Sequence, residues 1–482
     1  MDERTQLAVQ EALDAGASYA DARFVRRFVE DVEVKNGSPS ALTSDRTRGI
    51  GVRVIADGAW GFAATASLEK SDIRATARRA ADLARASATT SKEPVELADV
   101  EPAVDEVEAE VEIDPADVPM EDRIAVLMDA DEKMRKHEVA VAEGNISTRH
   151  VEQHFASSEG ASIYQERIET GGVIQCTAAS EDDTQTRSYS SSHGGQTMLR
   201  GWELIEELDL PSHAEEIAEE AVKLLEAPQC PSGEMDVILR GGQLALQVHE
   251  SCGHPIELDR VLGTEASFAG TSFLTPDKLN ELQYGSEKVN ITADATIPSG
   301  LGSLAYDDEG VPGQCVDIVK NGLFVGYLTS RETAAQLGLQ RSGGAMRADG
   351  WGRLPLIRMT NINLLPGDMT LDEIIASTDR GIIMADNRSW SIDDRRLNFQ
   401  FGAEIGYLVE GGEITGIVRN PTYTGITPEF WNSCDAVADE ETWQVWGVPN
   451  CGKGEPGQTA RVGHGVSAAR FRNVQVGVLG DE

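Results

Sequence analysis

At 482 residues the chain is long enough for two to four domains, each burying a core of its own. Aspartate and glutamate outnumber lysine and arginine by 81 to 42, a net charge of −39, and so acidic a surface is unsuited to nucleic-acid phosphate or an anionic membrane. The acids are spread along the whole chain and only ten residues are lysine, which points to a protein adapted to high salt rather than one with an acidic tail.

Taken in order, Leu7, Leu13 and their alanine neighbours recur at helical spacing over 4–15, and Gly16 is a natural stop. A strand is expected over 20–35, ending at Asn36-Gly37. The segments 48–55 and 60–65 read as a hairpin about Asp57-Gly58, with Ile50, Val52 and Val54 alternating against Arg53. An alanine-rich amphipathic helix follows over 68–86. From 89 to 119 the chain turns acidic and proline-bearing, and is read as a solvated connection. A helix over 121–136 leads into short alternating segments at 139–149, 161–169, 172–179 and 186–191, an antiparallel sheet. The helix over 212–226 is expected to start on Ser212, with Glu215 completing a capping box.

Residues 228–233, PQCPSG, read as a domain boundary. Beyond it come a strand over 235–240, a hairpin over 316–328 on Asn321-Gly322 and another over 403–418 on Gly411-Gly412. Short helices are expected at 331–336 and 371–376. No fixed period recurs, which argues against a solenoid or propeller. The expected fold class is therefore α+β. An N-terminal antiparallel sheet with helices fills 1–230, and a C-terminal β-rich catalytic domain fills 231–482. The six cysteines are irregularly spaced, the start MDERTQLAVQ has no charged-then-apolar leader, and no apolar run is long enough to span a membrane; a cytoplasmic protein is expected.

The chemistry concentrates in 243–260, QLALQVHESCGHPIELDR. His249, Glu250 and His254 form H-E-x-x-x-H, one residue longer than the zinc motif of a metalloprotease helix. On a regular α-helix, residues five apart lie about 140° from each other and could not share an ion. The helix must deform, and a π-turn would do it, helped by Gly253 and Pro255 flanking His254. Chance alone would produce such a motif on the order of once per hundred chains of this histidine content. A catalytic zinc site takes three protein ligands. Cys252 and Glu257 are near in sequence, but Cys252, three residues after His249 and two before His254, would make a sterically cramped grip; Cys451, in the glycine-rich PNCGKGEPGQ, is the better soft ligand and can approach from another element.

The segments HESCGHPIE, GSLAYDDEGVPGQ, GRLPLIRMTNINLLPGD and PNCGKGEPGQTARVGHG, which follow one another through the C-terminal half, resemble the TldD side of the TldD/TldE (PmbA) metallopeptidase family. The N-terminal half resembles it in layout more than in motifs. The resemblance implies a zinc peptidase with Zn2+ held by His249, His254 and Cys451, and Glu250 as the catalytic acid and base. It also implies a substrate range of unfolded peptides, including leader peptides of modified products, and a homodimer or a heterodimer with a TldE/PmbA-like subunit. The TldE-type partner usually lacks the zinc motif. His464 departs from the smaller residue of relatives.

A zinc ion so held polarises a scissile carbonyl and lowers the pKa of water to about 7. Glu250 is then expected to act as general base on that water and as acid towards the leaving amine. His464, Lys453 and Tyr423 are candidates to stabilise the oxyanion, and Glu257 is better suited to supporting a ligand than to being one. The acidic YDDEG at 306–310 reads as a solvated turn. Two alternatives remain open: a thiol hydrolase using Cys252 or Cys451 beside a histidine, and a non-catalytic scaffold closed by structural zinc.

Overall fold

The computed structural model describes residues 2–477 apart from Lys92 and His193. Its first helix, Glu3–Asp14, is capped by the Asp2 carboxylate, which accepts from the N–H groups of Arg4 and Thr5. Strands Tyr19–Lys35 and Ser38–Ala56 then pair along their whole length around Asn36-Gly37, both at positive φ. The first half of the second arm lacks apolar alternation and is largely exposed, so the sequence shows only its buried half. Strands Ala59–Thr65, Val141–Ser157, Ser162–Ala179 and Val104–Val107 extend the same sheet, against which helices Lys70–Ala88, Met120–Met134 and Leu210–Glu226 pack.

Three local expectations change. The segments 161–169 and 172–179 are one strand, Ser162–Ala179, running straight through Gly171-Gly172. Glycine is needed there for close approach, not for a turn: a Cβ on Gly171 would lie 2.2 Å from Thr197 Oγ1. The acidic connection is not wholly solvated, since Val104–Val107 pairs in parallel with Ser162–Ala179. The capping box at Ser212 does not form. Helix Leu210–Glu226 begins earlier, at a left-handed Asp209 followed by Leu210-Pro211, and the Ser212 hydroxyl donates to the Asp209 carbonyl.

In the C-terminal part, strands Gly233–Leu239, Ala469–Val476, Thr422–Ile426, Asn398–Glu410 and Arg380–Ile392 each pair with the next, and the last with the first, so the sheet closes on itself. A second sheet runs in the order Leu323–Phe324, Cys315–Lys320, Ile291–Asp294, Asn361–Leu364, Gln458–Val466, Gln444–Lys453. Between them lies one apolar core that includes Val237, Leu244, Val248, Ile291, Ile362 and Phe471. The fold is α+β. Both hairpins, on Asn321-Gly322 and Gly411-Gly412, and the short helices Arg331–Gln336 and Leu371–Ala376 form where expected. Among the described residues no helix is long and apolar enough to cross a membrane.

The YDDEG segment is a further correction: Asp307, Asp308 and Glu309 are buried, not solvated. Asp308 and Glu309 dock on the N-terminal sheet, paired to Arg23 at 2.9 Å and to Arg53 at 3.1 Å. Burial drives charged groups to seek partners of opposite sign, and the two parts of the chain supply them to each other.

Candidate metal centre

The segment from Gly241 onward is helical and buried on every side, and it changes pitch at His249. Helix Gly241–Val248 passes into a π-helical turn, His249–Gly253, and then a short 3-10 turn, His254–Ile256, with Pro255 inside it. The His254 N–H donates to the His249 carbonyl five residues back, so one turn closes between the two histidines and both rings point the same way. Their centroids are 4.9 Å apart and the rings perpendicular. Gly253 permits this: a Cβ there would lie 2.3 Å from Met359 Sδ. Tyr284 donates to the Ser251 carbonyl and Trp431 to the Ser251 hydroxyl, fastening the wide turn from its far side.

Cys451 arrives from strand Gln444–Lys453, just past an irregularity between Val448 and Cys451 in its pairing with Gln458–Val466. One ligand atom from each of His249, His254 and Cys451 lies within 4.8 Å of the others, and all three residues are buried. Cys451 Sγ stands 3.7 Å from His254 Nε2. Burial works to push the thiol up, but the His254 imidazole and the Arg358 guanidinium outweigh it, and the thiol sits below its usual range. Burial holds both imidazoles below their usual range, His254 well below it. Thiolate and neutral imidazole are the forms a soft metal binds.

The partners behind the ligands set which ring nitrogen faces inward. Glu257 accepts from His254 Nδ1 at 2.9 Å, which leaves the Nε2 lone pair turned to Cys451. His464 lies 3.2 Å by its Nδ1 from the Ile362 carbonyl, which can only accept, so that nitrogen carries hydrogen. Its Nε2 is then the acceptor for His249 Nδ1 at 2.8 Å, and Nε2 of His249 is left for an ion. The donor set, two imidazoles and a thiolate with their outer nitrogens already bonded, fits zinc.

Glu257 and Lys453 are both fully buried behind His254. Glu257 has Lys453 at 3.4 Å, Arg358 at 3.9 Å and Arg260 at 4.0 Å, and Arg358 donates to the Cys451 carbonyl, so one charge cluster supports two ligands. Lys453 donates to Asp259 and to the Ile357 carbonyl at 2.6 and 2.7 Å. With those bonds and the Glu257 pair its ammonium is spent on support, not on an oxyanion. Tyr423 is a core residue: its hydroxyl donates to Gln247 and accepts from Gln243. Cys252 belongs to the apolar core, where burial pushes its thiol up to about 12, and it is no nucleophile.

One residue at the site has no signal in the sequence. Arg396 sits at the tip joining Arg380–Ile392 to Asn398–Glu410, in a left-handed conformation at φ 62°, and its guanidinium pairs with Glu250 Oε2. Asp393 holds the tip by accepting from the N–H groups of Arg395 and Leu397. Glu250 Oε1 accepts no hydrogen bond among the described residues.

Models of the PmbA/TldA metallopeptidase family match the chain in three parts, domain 1 over 20–84, the central domain over 113–226 and the C-terminal domain over 232–478. The chain belongs to the PmbA/TldD metallopeptidase family. It is 30% identical to a metalloprotease of Methanocaldococcus jannaschii over 96% of this chain and 97% of that one. It is 24% identical to a zinc metalloprotease TldD homolog of Saccharolobus solfataricus over 97% and 98%. The solved structure of TldE from Thermococcus kodakarensis superposes with a TM-score of 0.70 at 18% identity, covering 98% of this chain and all of that one, which shows a shared fold.

Proposed function

We propose that the protein is a zinc-dependent peptidase acting on unfolded, extended peptides, with His249, His254 and Cys451 holding the ion and Glu250 as general base and acid. The observation that carries the reading is the convergence of the three donors with Glu250 next in sequence to one of them. Relatives named metalloproteases support it. Zinc, when bound, polarises a peptide carbonyl and makes water a stronger acid. Glu250 takes the proton at Oε1, which has no competing partner, while Arg396 fixes the carboxylate through Oε2, and the same oxygen returns the proton to the leaving amine. His464 and Glu257 keep hydrogen on the outer nitrogens of the ligands.

An extended peptide is proposed as substrate on the metallopeptidase character of the family; Gln444–Lys453, which carries Cys451, ends its sheet but does not offer a free edge, since Gln196 already donates to the Val445 carbonyl and accepts from the Gly447 N–H. A TldE-like subunit, or a second copy of the chain, is the proposed partner, on the likeness to TldE. All six cysteines are free of disulfides, which suits a reducing cytoplasm.

The test measures metal content and hydrolysis together. The wild-type chain should hold about one zinc and cut a free peptide, but not the same sequence inside a stable folded domain. Cys451→Ser should lose most of the metal, whereas Glu250→Gln should keep it and lose roughly 100-fold to 10,000-fold in kcat. The close Cys451–His254 pair would also serve a thiol hydrolase. Hydrolysis that survives a chelator but not thiol alkylation would replace the metal reading with that one.

A further inference from the structure

Away from the three donors, the sheet that carries Cys451 meets the central strands across a cavity of about 40 Å³. That is room for a few waters or one carboxylate group, given that one water needs roughly 10–15 Å³ by this measure. Arg149 and Arg167 come from the paired strands Val141–Ser157 and Ser162–Ala179. Arg149 lies directly opposite Glu169, and Arg167 is two residues along on the same face. Arg347 and Arg461 close the cavity from the C-terminal side.

The charges do not cancel. Glu169 is paired with Arg461, Asp349 with Arg27 and Asp308 with Arg23. The carboxylate of Asp307 is filled by the N–H groups of Glu309, Val311 and Met346. Arg149, Arg167 and Arg347 have no acidic partner within 4 Å among the described residues, and Arg149 Nε is buried without a hydrogen bond. Glu169 registers the excess: burial pushes its carboxyl up, yet Arg461, Arg149, Arg167 and Arg347 together hold it below its usual range. Burial and neighbouring arginines push Arg347 down to about 9. A chain carrying a net charge of −39 has gathered cations in one enclosed spot.

We propose that this cavity binds a carboxylate of a peptide, from an acidic side chain or a free C-terminus, beside the candidate metal centre. Planar guanidinium groups match a carboxylate two bonds at a time. The position favours a substrate group: Ala460, which lines the cavity, pairs directly with Cys451 across the ladder. That the carboxylate belongs to a substrate rests on the peptidase reading; that the cavity takes a carboxylate does not.

Binding and hydrolysis are therefore measured separately. Four labelled peptides of one unfolded sequence, with Glu or Gln at one position and a free or amidated C-terminus, are titrated by fluorescence polarisation into the full chain carrying Glu250→Gln. At least one carboxylate form should bind roughly 10-fold to 100-fold tighter than its amide twin. Whether the Glu/Gln or the free/amidated pair separates identifies the source. Arg149→Gln and Arg167→Gln should each remove most of that preference while leaving the amide forms unchanged. Equal affinity for all four peptides would overturn the proposal, as would a preference that survives both substitutions. If an arginine variant fails to fold, the comparison of the four peptides on the chain carrying Glu250→Gln alone decides. Selective binding without hydrolysis by the wild-type chain would keep this site and defeat the peptidase reading; unselective binding with hydrolysis would do the reverse.

Discussion

A spacing of five residues between His249 and His254 is readable as a demand for a widened turn, because ordinary helical geometry forbids the alternative, and the π-helical His249–Gly253 meets that demand. Cys451 could be read only as a free soft donor on another element; its seat opposite Ala460 comes from strand pairing that no local pattern encodes. Arg396 had no signal at all, since it reaches Glu250 from 146 residues away through a turn whose residues look like any solvated tip. His464 was visible as an extra imidazole but not as the acceptor that orients His249. That role makes a prediction. His464→Ala should leave the fold intact and weaken zinc binding roughly 10-fold to 100-fold, because His249 loses the acceptor that fixes its tautomer. Competition with a chelator of known affinity measures this, and unchanged affinity would show that His249 is held by something else.

Among the elements, the helices and hairpins with clear caps or turn residues were legible, while those shaped by distant partners were not. Gly171-Gly172 looked like a break and is mid-strand, because the demand on those positions is the approach of Thr197 and Ile205 rather than a turn. YDDEG looked like a solvated turn because acids are usually exposed, and only the arginines of the N-terminal sheet make its burial affordable. Arg53 bridges Asp21 at 2.7 Å and Glu309 at 3.1 Å with all three buried. Arg53→Met would leave two buried carboxyls without their cation, a loss of about 3–5 kcal/mol in a denaturant melt; a loss below about 1 kcal/mol would mean that water or a rearranged Arg23 replaces it. Asp307 in that turn and Glu404 in strand Asn398–Glu410 set a pH dependence. Burial, and then Glu309, push Asp307 up to about 8; burial, and then Asp386, push Glu404 up to about 7. Both values lie above those of the unfolded chain, so the stabilisation they carry is complete below about pH 4 and is lost as pH rises through 7 and 8. Above about pH 7.5, where histidines are mostly neutral in both states, the melting midpoint should fall towards pH 9. A flat midpoint over that range would show that these carboxyls are ionised throughout.

At the scale of the whole molecule, the charge of −39 has to be reconciled with a compact fold. The buried acids are largely matched, as Asp21, Glu257, Asp308 and Glu309 show, so the surplus lies on the surface, where no pairing holds it. Like charges at the surface repel over the screening length of the solution, which shortens from about 10 Å at 0.1 M salt to about 3 Å at 1 M. At low salt each exposed carboxylate is pushed by many others, and unfolding relieves the repulsion by spreading the chain. At high salt each interacts only with its nearest neighbours. Thermal midpoints measured at constant pH in potassium chloride should therefore rise steadily between about 0.1 and 2 M, the steepest change coming where the screening length falls below the spacing of surface acids. Potassium chloride is the right titrant because sulfate would strengthen apolar burial as well and mix two effects. A midpoint that stays flat or falls would mean that the surface acids are spaced too widely to repel one another, and the adaptation to high salt inferred from composition would have to be withdrawn.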